Sequence, residues 1–218
     1  MDAFHLAVAL TPLAAYLVAL GVIHLRTRPS VTSGGRDVVA LGLGISGMVV
    51  AGPMELFLPQ SAARQFGPYV WLLLFALYLL SVILLALLAR PRLVIYNVDA
   101  KECEEALREV FGRLDRRATW AGKSVASPRL AIHCVWEAVG ALRQAQVVSV
   151  GGQQNAFGWA VLLAALRARL DRGASAVATQ AIPYLLLGLT MMVIIITRLS
   201  LDGAAVASAL EGFLRRDI

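Results

Sequence analysis

The sequence predicts a membrane protein with four transmembrane α-helices and an inserted cytoplasmic α+β domain, and three observations carry that prediction. Of 218 residues, 59% are apolar and 16% charged, with a mean hydropathy of +0.72, well outside the mixture of soluble domains. Four stretches reach the about 20 mostly apolar residues that a helix needs to cross hydrocarbon. Between the third and fourth, the pattern changes to strand alternation and amphipathic periodicity. The resulting division is a three-helix transmembrane region at 1–91, the α+β domain at 92–172, the fourth transmembrane helix at 173–199 and a short amphipathic or disordered tail at 200–218.

The first stretch, Ala3 to Leu25, is preceded by Asp2 and followed by Arg26 and Arg28. It lacks the basic leading region of a secretory signal and reads as a retained span. The second, Val38 to Leu58, contains Gly42, Gly44, Gly47 and Gly52, with Ala40 four residues before Gly44 and Ala51 four after Gly47. Small residues at that spacing let helix backbones approach closely in lipid, so Gly44, Gly47, Ala40 and Ala51 are the expected packing residues. The string from Gly42 to Gly47 formally matches a dinucleotide fingerprint, but no strand precedes it and it lies inside an apolar span, which excludes the nucleotide reading. The third stretch, Pro68 to Ala89, opens with Tyr69 and Trp71 and continues almost entirely in Leu and Ala, the pattern of an interface belt and a lipid-facing helix. The fourth runs from Ala176 to Thr197.

In the inserted domain, Leu93 to Val98 reads as a buried strand. Asp99 and Glu102 then give a start signal for a helix, on which Cys103, Ala106, Leu107, Val110, Phe111 and Leu114 recur at helical spacing. A short strand at Thr119 to Lys123 follows. Arg129 to Glu137 alternates, with Leu130, Ile132, Cys134 and Trp136 on one face. A strand at Leu142 to Val150 leads through Gly151-Gly152 into a helix at Asn155 to Asp171, whose stripe is Trp159, Leu162, Leu163, Leu166 and Leu170. This order suggests an antiparallel sheet with two helices on one face, with a ferredoxin-like arrangement as the alternative. From Leu199 to Ile218 a short segment could lie in the interface plane, with Val206, Leu210, Phe213 and Leu214 toward the apolar side.

The net charge of +6 matters less than its placement. Arg26, Arg28 and Arg36 fill the first loop, Arg90 and Arg92 follow the third span, and Arg64 stands in the second loop. Basic residues beside spans are retained in the cytoplasm, so both termini are expected outside a cell membrane and the domain inside. Residues 90–175 hold thirteen Lys and Arg against eight Asp and Glu, which reads as topology plus attraction to anionic lipid. No zinc-finger spacing, lysine-rich run or aromatic RNA-binding signature accompanies it, so no nucleic acid is expected. Cys103 and Cys134 read as buried apolar thiols.

Glu55, between Pro53 and Pro59, is the carboxylate inside a predicted span and therefore the first functional candidate. His5 or Arg64 could pair with it structurally. Pro53 also withholds an N–H from the carbonyl one turn earlier, near Val49. His24, beside Arg26, reads as an interfacial histidine. His133 and Cys134 are adjacent on a strand and point to opposite faces, which argues against a joint metal site. Gly151, Gly152 and Asn155 form a weak anion-binding candidate at a helix start, against an ordinary turn capped by Asn155. With no P-loop, nucleophile elbow or catalytic triad in sight, no cofactor or metal is expected and catalysis ranks last. The leading expectation is a non-catalytic, self-associating or partner-binding membrane module. Its competitor is a small oligomeric ion channel or transporter with Glu55 near the outer mouth.

Overall fold

The computed structural model describes residues 3–26, 28–58, 61, 65–67, 69–139, 143–152, 154–171, 181–203 and 206–208. Arg64, Pro59, Leu142, the first residues of the expected fourth span and the tail from 209 onward lie outside them. The chain forms two compact units, Met1–Leu20 with Val39–Leu85 and Pro183–Ile218, and Gly21–Val38 with Ala86–Ile182.

Four helices are long and apolar enough to cross a membrane: α1 (Ala3–Leu25), α2 (Gly34–Val49, continued by a π-helical turn at Val50–Met54), α3 (Tyr69–Leu88) and α6 (Ala181–Leu201). Their composition points to a membrane-embedded chain. Within the first unit the neighbours of α2 follow from its glycines. Successive residues turn by about 100°, so Gly44 and Gly47 share a face while Gly42 lies on the opposite one. A Cβ on Gly44 would press on the Tyr16 ring, and one on Gly47 would collide with the Val8 and Ala9 carbonyls of α1; one on Gly42 would meet Val82 of α3. The Tyr78 hydroxyl donates to the Gly42 carbonyl at 2.6 Å, fixing that second seam. Gly188 of α6 packs on α1 at Ala14 and Val18. Outward-facing leucines line α3, where Val70 and Val82 are the buried residues among those described.

The second unit is built on a six-stranded antiparallel sheet in the order β1-β2-β6-β5-β4-β3. The strands are β1 (Ser30–Ser33), β2 (Arg92–Tyr96), β3 (Thr119–Ala121), β4 (Ser124–Ser127), β5 (Ile132–Val139) and β6 (Gln144–Ser149), with helices α4 (Ala100–Leu114) and α5 (Ala156–Leu170). The two helices pack into one core with Leu93, Ile95, Cys134, Trp136, Ala145 and Val147 from alternate sheet positions. Phe111, Leu107, Leu162 and Leu166 are fully buried there, each worth about 1.5–3 kcal/mol of burial. The Asp99 carboxylate accepts from the Glu102 N–H at 2.8 Å, so the expected cap starts α4, and the expected apolar stripe is its buried face.

Four readings change. The first loop contributes an edge strand, with Ser30 opposite Tyr96 and Ser33 opposite Leu93; its four residues are mostly polar and take strand form because β2 offers an edge to pair with. The strand expected at 119–123 is a hairpin, since Gly122 at φ +60° turns the chain back, as a glycine at the first position of a two-residue loop does. The alternating strand begins at Ile132 rather than Arg129, because Ala131 at φ +50° belongs to a turn closed by its N–H on the Pro128 carbonyl. The ferredoxin-like alternative does not form: four consecutive strands separate α4 from α5, where that arrangement has two.

Candidate functional site

Pro53 shapes the end of α2. It has no N–H, and its ring crowds the carbonyl four residues back; the wider π turn at Val50–Met54 absorbs that crowding, a device often found where a helix carries a function. The next residue, Glu55, has helical backbone angles, and the Phe57 N–H closes the turn on the Pro53 carbonyl at 2.9 Å. The Glu55 carboxylate meets His5 Nε2, at 3.1 Å from Oε2 and 3.2 Å from Oε1. Both side chains are about one-fifth exposed, at 21% and 20%. The Phe4 ring stands edge-on to His5 at 5.5 Å between centroids. The structure thus brings together His5 and Glu55 and shows how Pro53 places the carboxylate. An imidazole and a carboxylate at this distance can share or pass a proton, and they equally tie the first turn of α1 to the end of α2.

Of the expected packing residues, Gly44 and Gly47 lie in the α1–α2 seam. Ala40 is exposed, Ala51 half-buried, and a Cβ on Gly52 would meet nothing within 4 Å. Gly47 can approach α1 so closely because Pro12 stands in that helix. Pro12 donates no N–H to the Val8 carbonyl, and that carbonyl is the atom nearest to where a Gly47 Cβ would stand.

In the second unit, Gly151, Gly152 and Asn155 border an open groove of about 780 Å³ together with His133, Gln154 and Pro128. Asn155 is the N-cap of α5: its side chain accepts from the Phe157 N–H at 2.9 Å, and its own N–H donates to the Ala131 carbonyl at 3.0 Å. The Asn155 and Phe157 N–H groups are therefore engaged by the protein itself, as in an ordinary capped turn. Gln154 donates to the His133 and Val150 carbonyls at 2.9 and 2.7 Å and accepts from the Trp159 indole at 3.0 Å. His133 is exposed with Nε2 2.8 Å from the Ser124 hydroxyl, while Cys134 faces the core.

Three features escaped the sequence. Asp37 accepts from the Tyr96 hydroxyl at 2.5 Å and from Arg92 at 3.3 Å, locking the start of α2 to β2. Asp115, at the end of α4, accepts from the Ser127 hydroxyl at 2.7 Å and from the Arg129 and Arg117 N–H groups at 3.0 and 2.9 Å. The Ser127 hydroxyl, then the Arg129 N–H, hold its carboxyl below the usual range. His24 is buried, with its ring edge-on to Tyr96 at 5.8 Å. The Cys103 and Cys134 thiols are buried as expected, and burial pushes each up to about 12. No protein-family model, curated protein or solved structure matches this chain.

Proposed function

We propose that this chain is a non-catalytic integral membrane module. In this reading α1, α2, α3 and α6 span a cell membrane, the α+β domain lies on the cytoplasmic side with both termini outside, and the protein acts by binding a second copy or another membrane protein. The observation that carries it is the run of exposed apolar side chains on the long helices, among them Leu72, Leu80 and Leu87 on α3 and Leu186 and Val193 on α6. Lipid is the solvent such surfaces need. Arg26, Arg28, Arg36, Arg90 and Arg92 support the orientation. The buried glycines support a bundle whose own seams are filled from within, so association would use the outer faces or the domain. Mass measurement in nanodiscs tests this: a multiple of the 23.3 kDa chain, or a stoichiometric co-purifying membrane protein, is expected. A lone chain at every protein concentration overturns it.

A second reading, an oligomeric channel or transporter, is favoured by the His5–Glu55 pair beside the π turn. Ionisable groups at such positions often line pathways. Flux through liposomes that changes in rate or pH dependence with Glu55→Gln supports it, and no flux from wild-type protein across pH and voltage removes it.

A further inference from the structure

Four arginines of the α+β unit stand against carboxylates. Arg92 meets Asp37, Arg108 meets Glu104, and Arg113 and Arg169 both meet Glu109. A cleft of about 440 Å³ breaks that pattern: it is lined by Arg26, Arg28 and Arg167, with Ser30 and the single carboxylate of Asp171. Among the described residues, the Arg26 and Arg28 guanidinium groups have no hydrogen-bond or ion-pair partner, and Arg167 spends its Nε on the Val31 carbonyl at 3.0 Å.

The segment that carries these charges is held in place. Asn97, fully buried at φ +59°, donates to the Arg26 carbonyl. Pro29 is buried, and Ser30 enters the sheet opposite Tyr96. Like charges converging on a rigid cleft repel one another until an anion enters, and forked guanidinium groups match the oxygens of a phosphate.

Resting on the membrane reading, we propose that this cleft binds a phosphate ester through Arg26, Arg28 and Arg167, supplied as an anionic lipid headgroup or as a soluble phosphate. Chain connectivity favours the first source. Arg26 directly follows the last residue of α1, Ser30 and Val31 stand just before α2, and Asp171 precedes α6 by ten residues. Residues flanking spans lie at headgroup depth. The Asp171 carboxylate then accepts a hydroxyl, which favours a glycerol or inositol headgroup over one bearing its own carboxylate.

The full chain, delipidated in a zwitterionic detergent, is titrated with phosphatidylglycerol, phosphatidylcholine and glycerol 3-phosphate, and bound ligand is counted by native mass spectrometry. Each basic residue near a lipid surface is worth roughly fivefold in affinity, so Arg26→Gln with Arg28→Gln is expected to weaken binding on the order of 20-fold. The double variant Arg113→Gln and Arg116→Gln, equal in charge loss, is expected to leave it unchanged, and thermal melting checks that both remain folded. Loss on phosphatidylglycerol alone assigns the lipid source, and loss on glycerol 3-phosphate as well assigns a soluble ester. Equal binding of phosphatidylcholine, or equal loss in both double variants, overturns the site. Failure of the membrane reading shows separately, as a chain that stays soluble without detergent, and the glycerol 3-phosphate arm still tests the cleft in that event.

Discussion

Replacing Gly47 by alanine adds one methyl group at the closest approach of α1 and α2. The new Cβ falls against the Val8 and Ala9 carbonyls and the Pro12 ring. None of these is a side chain that can swing away, so α1 must withdraw and the Gly44–Tyr16 contact beside it opens too. Overpacking of this kind costs about 3 kcal/mol at the upper end of its usual range. Alanine recovers about 1 kcal/mol of helix propensity, which leaves a net loss of about 2 kcal/mol. For a chain of this size that is a fall in Tm of roughly 4–8 °C. Thermal unfolding in a single detergent, followed by tryptophan fluorescence, reads it. Gly52→Ala is the control, since its Cβ meets nothing within 4 Å and the variant should melt at or slightly above wild type. A Gly47→Ala protein that melts with the control would refute the close approach.

The His5–Glu55 contact at 3.1 Å should give a coupling of about 1 kcal/mol in a double-mutant cycle of His5→Gln and Glu55→Gln; additive losses would deny the pair a structural role. Asn155→Ala removes the acceptor of the Phe157 N–H and should cost about 1 kcal/mol of domain stability in denaturant unfolding, whereas a neutral result would mean the cap is dispensable. Asp115 has a depressed folded value, so its contribution is complete above the unfolded value of about 3.9 and is lost as pH falls through the folded value. Asp115→Asn should therefore be less stable at neutral pH and show a shallower acid loss; parallel pH profiles for variant and wild type would contradict the network.

The apolar helices were legible because their signal is compositional and needs no partner: α1 ends at Leu25 as read, and α3 differs from its expected range by a residue at each end. The α4 stripe was legible for the same local reason. β1 was not, since Ser30–Ser33 has a single buried apolar residue, Val31, and becomes a strand through an edge more than sixty residues away in sequence. The two-residue loop Gly122-Lys123 carried a hairpin signal, a glycine at the first turn position, that a continuous strand reading passes over. In the candidate site, Glu55 stood out by depth and His5 as one of its two named partners. The arginines of the cleft were read for topology alone, because Arg167 joins Arg26 and Arg28 only when α5 folds against the first loop's strand. Asp37 and Asp115 gave no local signal, as their partners Tyr96 and Ser127 are brought to them by the sheet.

The proposed membrane module requires its α+β domain to lie on the cytoplasmic side of four spans. The native thiols cannot report this, because Cys103 and Cys134 are buried and their thiols lie near 12. With both replaced by alanine, single cysteines at the exposed positions Ser61 and Lys123 are exposed to an impermeant maleimide on intact cells. Labelling is expected at position 61 without permeabilisation and at position 123 only after it. Labelling at position 123 on intact cells, with position 61 protected, would contradict the cytoplasmic placement.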